Sequence, residues 1–316
     1  MENKERYILF AQNETQLPLF FQPWWLDAVS AGMQWDVLLS LSPEGEIQAA
    51  LPYLTSQKLK MRYASMPAET PFLGVYISKQ YQDSIHAQRE IVSDLARQLE
   101  QTGLSYFSQL FVLQKPVAAL FQEQQFKTKE RNGYQLYDLS DLNHTLDSFS
   151  KGRKKLLQRA LTLTTDSEMQ AEDFYRFHQD CLLQKKKQMP YSREFLLVIQ
   201  KKAERAESYT ILRIRNAASN TLAAAFLVWD QQRLYYLLPA VSPTANDTGA
   251  EELLIWEAIK LAGKKQLIFD FAMTRKNSSF CKQFAAESYS CFEISKYYKG
   301  FFRLINFFRW LGQIGK

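Results

Sequence analysis

Strand-length apolar runs alternate with amphipathic helical stretches in the same order in both halves of the chain. Each half has a pair of apolar runs, a long amphipathic stretch and a further apolar run, at 35–54, 80–101 and 105–110 and again at 209–229, 249–262 and 266–271. In the first half the turn-forming residues Ser42-Pro43-Glu44-Gly45 separate the paired runs, which predicts a hairpin. Such alternation is typical of sheets covered by helices. We therefore predict an α/β (α+β) protein with a mixed sheet in each half.

The length of the chain indicates two domains. A single hydrophobic core rarely serves 316 residues, whereas two domains of about 150 residues are ordinary. We predict an N-terminal domain at 1–150 and a C-terminal domain at 151–316. Residue identity between the halves is negligible, so a chance match of element order is the alternative to duplication. At the N-terminus, Tyr7–Phe10 reads as a short strand and Pro18–Ser30 as a helix.

Charge is distributed unevenly between the halves. Residues 1–150 hold 12 basic and 17 acidic residues, a net of −5, and residues 151–316 hold 27 and 16, a net of +11. The second half contains Arg153–Lys155, Arg159 and Lys185–Lys187. These residues predict contact with a polyanion such as a nucleotide cofactor, RNA or an anionic lipid surface. A solvated face, or charge complementarity between the halves, is the alternative.

Several classes of site are excluded by missing patterns. The cysteines, Cys181, Cys281 and Cys291, have no paired spacing, and the three histidines are isolated, so no disulfide framework or metal site is expected. The Gly-x-Ser-x-Gly elbow and the Gly-x-x-x-x-Gly-Lys loop are absent, which argues against serine hydrolases and P-loop NTPases. The first residues are charged and no apolar run is long enough to span a membrane, so we expect a cytoplasmic protein.

A family resemblance rests on short motifs in order along the chain. They are Gln22-Pro23-Trp24-Trp25, Ala50-Leu51-Pro52-Tyr53, Arg153-Lys154-Lys155, Thr248-Gly249-Ala250-Glu251, Phe269-Asp270-Phe271 and Phe280-Cys281-Lys282-Gln283-Phe284-Ala285. With these motifs the chain resembles the GNAT-fold acyltransferases, and specifically the tandem-domain branch related to the Fem-type (FemAB-like) aminoacyl transferases. The resemblance implies two tandem GNAT-like domains. It also implies transfer of an acyl or aminoacyl group from acyl-CoA or an aminoacyl-tRNA to an amine.

The resemblance assigns cofactor binding to Thr248, Gly249 and Ala250. In GNAT domains a turn of small residues at a helix start presents backbone N–H groups to the pyrophosphate of coenzyme A, and helix N-termini favour anions. Here Asn246 and Glu251 replace the usual basic and small residues of that turn, and the acid repels a pyrophosphate. An ordinary helix start with Thr248 as N-cap is the alternative.

Three residues are candidates for catalysis. Lys282 resembles the lysine of a Phe-Lys-x-x-Phe-Gly stretch that points toward the acyl donor in Fem-type enzymes, although Cys281 shifts the register and Ala285 replaces glycine; a plain surface lysine is the alternative. Asp270 ends an apolar strand, where a carboxylate of raised pKa would accept the proton of an attacking amine. It could equally cap the turn that follows or pair with Arg275.

The third candidate is Tyr236, which would place a phenol at the site. It follows Tyr235 on the same predicted strand, so at most one of the two side chains faces the site. A core position is the ordinary fate of a strand tyrosine. No metal is expected in the reaction.

The C-terminal stretch 298–316 is aromatic and cationic. Phe301, Leu304, Ile305, Phe308 and Leu311 share one helical face, so this helix could lie on the inner face of a membrane, cover a sheet or form a homodimer. Two functions follow. The first is an N-acyltransferase acting on a small-molecule or cell-wall-precursor amine, with tRNA as a potential partner. The second is a catalytically degenerate binding protein of the same fold, associated with a membrane surface.

Overall fold

A computed structural model describes residues 2–30, 33–58, 60–272 and 278–298. The helices are α1 Asn3–Asn13, α2 Pro23–Val29, α3 Ile85–Gln101, α4 Lys115–Glu123, α5 Leu142–Asp147, α6 Lys151–Arg159, α7 Ala171–Gln184, α8 Arg193–Arg205, α9 Ala250–Lys264 and α10 Ser278–Lys282. The strands are β1 Gln34–Leu41, β2 Ile47–Lys58, β3 Met61–Ala64, β4 Tyr76–Ile77, β5 Tyr106–Val112, β6 Lys127–Leu136, β7 Thr164–Asp166, β8 Tyr209–Arg215, β9 Thr221–Trp229, β10 Arg233–Val241, β11 Ile268–Asp270 and β12 Glu287–Tyr297. Residues 299–316, which hold nearly all of the predicted C-terminal helix, lie outside the described residues.

The chain forms two compact units. Among the described residues, the first unit comprises 2–131 with 290–298, and the second comprises 132–289. The predicted division at residue 150 differs from these bounds because the last strand of each sequence half pairs with a strand of the other half. Strand β6 follows α4 but pairs with β11, and β12 follows α10 but pairs with β5.

The first unit has the strand order β1-β2-β3-β5-β12, with β4 on β2. The predicted hairpin is confirmed: β1 and β2 are antiparallel, and the hydroxyl of Ser42 accepts hydrogen bonds from the backbone N–H groups of Glu44 and Glu46 in the turn. The predicted long helix is confirmed as α3, whose N-cap Ser84 accepts a hydrogen bond from Ala87. Its apolar face is buried as its helical spacing indicates.

The prediction of a strand at Tyr7–Phe10 is wrong, because these residues lie in α1. A capping box between Glu2 and Glu5 begins this helix. The ring of Tyr7 is buried, and its hydroxyl donates a hydrogen bond to the carbonyl oxygen of Phe21 at 2.6 Å. The strand prediction rested on only four apolar-rich residues. Burial of one face of a helix accounts equally well for apolar residues in this stretch.

The second unit has the strand order β6-β11-β10-β9-β8-β7. Strands β8, β9 and β10 form an antiparallel meander, α9 crosses over, and β11 returns parallel to β10. The first unit repeats this arrangement, with β5 parallel to β3 after the crossover helix α3. The predicted mixed α/β architecture, with the same element order in both halves, is therefore confirmed.

Pairing between β10 and β11 ends early. The two strands are in register from Arg233 and Ile268 to Tyr235 and Asp270, where β11 ends. Strand β10 continues, and its register with β9 shifts between Tyr236 and Leu238. This bulge leaves Leu237 without a residue opposite it on β9. The separation of β10 from β11 and the bulge thus coincide at Tyr236.

Candidate active site

The start of α9 is covered by helix α6. Gly249 is the N-cap residue, with φ +81, so the predicted N-cap Thr248 lies one position earlier and instead accepts a hydrogen bond from the N–H of Ala250 at 3.2 Å. A Cβ atom on Gly249 would collide with the backbone carbonyl oxygen of Leu156 in α6. A glycine here therefore permits close packing of α6 as well as the left-handed backbone.

A buried ion pair joins α6 to the first turn of α9. The guanidinium of Arg153 binds the carboxylate of Glu252, and the two side chains are only 16% and 5% exposed. Arg153 also donates from Nε to Oε1 of Gln283 at 2.9 Å, and it lies over the rings of Phe280 and Phe284. One arginine therefore connects the predicted cofactor turn with the segment that carries Lys282.

These contacts do not fit a coenzyme A pyrophosphate at the start of α9. The Leu156 carbonyl oxygen lies at the Cβ position of Gly249, the carboxylate of Glu252 belongs to the first turn of α9, and the guanidinium that could balance an added negative charge already binds Glu252. Glu251 adds a second acid in this turn. Electrostatic repulsion and the covering backbone both oppose an anion at this position.

Tyr236 lies in the core of the second unit. Its side chain is buried, and its ring centroid is 6.1 Å from that of Phe269 and 6.4 Å from that of Phe271. The hydroxyl has no hydrogen-bond partner within the part of the chain that the structure describes. Burial raises the pKa of Tyr236, and the carboxylate of Glu252 raises it further, so the phenol stays protonated. It can donate a hydrogen bond but cannot act as a base.

Asp270 lies on the opposite face of the sheet. It is opposite Tyr235 in the β10–β11 register, and the side chain of the next residue, Tyr236, points to the other face. The carboxylate accepts hydrogen bonds from Ala272 N at 2.8 Å, from the Tyr289 hydroxyl at 2.9 Å and from Arg233 Nη1 at 3.2 Å. Burial is the largest cause that raises the pKa of Asp270, although these donors oppose it. Arg275, the other predicted partner, is not described.

Lys282 ends α10 with an exposed side chain. It has no hydrogen-bond or ion-pair partner among the residues described, whereas the next two residues, Gln283 and Phe284, contact Arg153. The structure thus connects the Lys282 segment with the α9 start through one arginine. Asp270 belongs to a separate cluster on the other face of the sheet.

Sequence reasoning did not identify the partners of Asp270. Arg233 also bonds to Gln135, and the ring of Tyr289 lies where a side chain on residue 133 would stand, which requires Gly133. No local signal predicts this cluster, because its members come from β6, β10, β11 and β12. Within the described ranges no helix is long and apolar enough to cross a membrane, and no group of acidic, histidine and cysteine side chains could hold a metal.

Comparison with known proteins identifies the domain in the second unit. Residues 144–280 match the family model described as an acetyltransferase (GNAT) domain. FemX has the same fold, with 11% identity and a TM-score of 0.68 over 92% of this chain and 95% of FemX. L-PGS from Bacillus licheniformis aligns with a TM-score of 0.54 and 12% identity over 99% of this chain and 98% of its own.

A further solved structure contains two such domains. A tandem GNAT protein from the clavulanic acid biosynthesis pathway aligns over 84% of each chain, with 8% identity and a TM-score of 0.52. No curated protein matches the chain in sequence. The resemblance stated from the motifs is confirmed at the level of the fold: residues 144–280 match the model of a GNAT acetyltransferase domain, and the chain is similar in fold to FemX and to a tandem GNAT protein.

Proposed function

We propose that this chain transfers an aminoacyl group from a charged tRNA to an amine and does not use acyl-CoA as its donor. The observation that supports this choice of donor is that helix α6 covers the start of α9 in the GNAT domain. The Leu156 carbonyl oxygen packs against Gly249 and the Arg153–Glu252 pair occupies the first turn of α9, and both features oppose a pyrophosphate at this helix start. The Fem-type resemblance implies the alternative donor, an aminoacyl ester on tRNA.

The separation of β10 from β11 is the proposed position of the reacting carbonyl. Tyr236 lies where the pairing of these strands ends, and the adjacent bulge leaves Leu237 unpaired with β9. A buried phenol that stays protonated and has no partner among the described residues is a hydrogen-bond donor for the negative charge that develops on an ester carbonyl oxygen. Tyr236 would therefore stabilise the tetrahedral intermediate rather than move a proton.

Lys282 and Asp270 have different proposed roles. The exposed ammonium of Lys282 would attract a phosphate of the RNA donor next to the reacting ester. Asp270 already accepts three hydrogen bonds, so its proposed role as the base needs one donor to move aside. With its partners in place, Asp270 instead orients Arg233 and Tyr289 at the strand end, and we favour this positioning role.

The test compares the two donors directly. Bulk tRNA charged with labelled amino acids and labelled acetyl-CoA are each mixed with the chain and a panel of small amines and lysine-containing peptides. We expect transfer from tRNA only, and retention of tRNA on filters that weakens steeply with salt. Lys282→Ala should lower transfer at least tenfold, whereas Lys264→Ala, an exposed lysine at the end of α9, should leave it unchanged.

The other outcomes distinguish the remaining hypotheses. Efficient, saturable transfer from acetyl-CoA would reject the proposed donor while keeping the transferase. Binding of tRNA without any transfer would favour the catalytically degenerate binding protein. Neither binding nor transfer with either donor would reject the proposal altogether.

A further inference from the structure

A cavity of about 300 Å³ lies beside the first residues of β8 in the second unit. We call it the edge pocket, and its lining comes from the segment after β7, from the C-terminal end of α8 and from the start of β8. The lining includes Met169, Glu204, Glu207, Tyr209, Thr210 and Ile211. The volume is at the lower limit for small-molecule sites, about 300–1,000 Å³, and therefore suits one long side chain or a small ligand.

The edge pocket lies at an open edge of the sheet. Strand β7 ends at Asp166, so its pairing with β8 stops at Arg213. Residues 209–212 of β8 therefore have β9 on one side and, among the residues that the structure describes, no strand on the other. Tyr209 and Thr210 point to opposite faces of the sheet and both line the pocket, which places it at the strand edge. An unpaired strand edge is a template for a further strand.

The edge pocket carries negative charge that nothing nearby compensates. The side chains of Glu204 and Glu207 are exposed, and neither carboxylate has a hydrogen-bond or ion-pair partner within the described ranges. Both residues lie at the C-terminal end of α8, where the helix dipole is also negative. Arg205 lies between them in the sequence but does not line the pocket. A cationic group in the pocket would therefore be attracted by two carboxylates and by the end of a helix.

The apolar part of the lining identifies the kind of cation. Met169 and Ile211 are only 8% and 3% exposed, so the apolar lining is buried while the acidic lining is exposed. A lysine side chain has the same two parts, because it buries its methylene stem along apolar surface and keeps its ammonium group at the surface. Its compact charge can approach two carboxylates together. The edge pocket therefore matches a lysine side chain.

We propose that the edge pocket binds a lysine side chain of an extended peptide from a partner protein, and that this peptide adds to the sheet beside residues 209–212. The lysine stem packs on Met169 and Ile211, and the ammonium group binds Glu204 and Glu207. The peptide backbone forms hydrogen bonds with the open edge of β8. The proposal does not depend on the transfer reaction, because no residue of the pocket has a role in it.

The first test measures binding of a fluorescent Thr-Val-Lys-Val-Thr peptide to the full chain by anisotropy at low salt. The same peptide with norleucine in place of lysine keeps the stem but loses the charge, and we expect it to bind at least tenfold more weakly. Pentylamine, which has the stem and the ammonium group without a peptide backbone, should also bind at least tenfold more weakly. Glu204→Gln and Glu207→Gln should each weaken binding of the lysine peptide about threefold, and together about tenfold. Asp180→Asn, at an exposed acid near the end of α7, should have no effect.

A second test uses two methylated peptides to detect strand addition. Successive backbone N–H groups of a strand point to its opposite edges. Methylation of the backbone nitrogen of lysine therefore removes a donor from one edge of the peptide, and methylation of the two valine nitrogens removes donors from the other. We expect one of these peptides to lose at least tenfold in affinity and the other to bind as before, because only one edge pairs with β8.

The contrary results are equally clear. Equal binding of the lysine and norleucine peptides, or binding that the double variant of Glu204 and Glu207 leaves intact, would overturn the lysine site. Pentylamine that binds as tightly as the peptide, or full affinity of both methylated peptides, would overturn strand addition. Absence of peptide binding would overturn the whole proposal. Because these readouts do not involve turnover, failure here leaves the transferase proposal standing.

Discussion

The backbone carbonyl oxygen of Leu156 lies where a Cβ atom on Gly249 would stand. Helix α6 therefore packs closely against the first turn of α9. This contact requires a residue without a side chain at position 249, and glycine also adopts the positive φ found there. The same approach brings Arg153 to Glu252. The features that oppose a pyrophosphate are therefore parts of one helix–helix contact.

Gly249→Ala should destabilise the second unit. The added methyl group must displace α6, and alanine is strained at positive φ, so together we expect a loss of about 3 kcal/mol in the free energy of unfolding in urea. Gly152→Ala is the matched control, because a Cβ atom at that position of α6 meets no atom within 4 Å. It should be neutral or stabilising by up to about 1 kcal/mol. Equal stability of the two variants would contradict the observed packing.

Removing one member of the Arg153–Glu252 pair should cost more than removing both. Glu252→Ala leaves a buried guanidinium without its carboxylate, and we expect a loss of roughly 3 kcal/mol in stability. In Arg153→Met with Glu252→Leu no charge remains unpaired, so this double variant should lose less stability than either of its single variants, Arg153→Met or Glu252→Leu. Lys260→Ala breaks a more exposed pair with Glu257 on the same helix and should change stability by under about 0.5 kcal/mol. Additive losses in the cycle would argue against a coupled pair.

Tyr236→Phe and Tyr235→Phe should have opposite effects. The Tyr236 hydroxyl has no partner among the described residues, so its removal should leave stability unchanged or raise it by about 1 kcal/mol. Transfer should nevertheless fall at least tenfold, because a donor to the oxyanion is lost. The Tyr235 hydroxyl donates to Asp230 at 3.1 Å, so Tyr235→Phe should cost about 1 kcal/mol and reduce transfer little. Unchanged transfer by Tyr236→Phe would remove the proposed role.

Asp270→Asn should destabilise the second unit by roughly 2–4 kcal/mol, because an amide nitrogen would face the donors Arg233 and Tyr289. Tyr289→Phe removes one of these hydrogen bonds but keeps the ring above Gly133, so its cost should be near 1 kcal/mol. Thermal unfolding measures both. A fully stable Asp270→Asn variant would show that the cluster does not hold the strand end and would favour a catalytic Asp270.

Stability should fall in acid because of His178. Its imidazole is buried beside the Tyr191 hydroxyl at 2.7 Å, and burial, followed by the charge of Lys185, lowers its pKa to about 4. The unfolded chain binds the proton more readily, so the contribution of His178 is complete above pH 6.5 and is lost as the pH falls toward 4, by up to about 3 kcal/mol. Melting temperatures across this range should fall less steeply for His178→Asn than for the natural chain. His86→Gln, at an exposed position, should leave the slope as it is.

The individual helices and hairpins could largely be predicted from the sequence. Apolar spacing predicted α3 and α9, and turn residues predicted the β1–β2 hairpin, because these signals act over a few neighbouring residues. Alternation along a strand also indicated that Tyr235 and Tyr236 face opposite ways. The same reasoning failed at Tyr7–Phe10, where a short apolar-rich run fits a strand and a helix equally well and the capping box of Glu2 and Glu5 decides for the helix.

The sequence by itself therefore determined the order of the main helices and strands other than α1, the repetition of that order in both halves and the family resemblance. Only the tertiary structure decided that Asp270 and Tyr236 lie on opposite faces, that β6 and β12 pair in each other's halves, and that Arg153 neutralises Glu252 99 residues away. These contacts form between groups that become buried together when helices and strands pack. The spacing of residues along the chain does not show which groups those are.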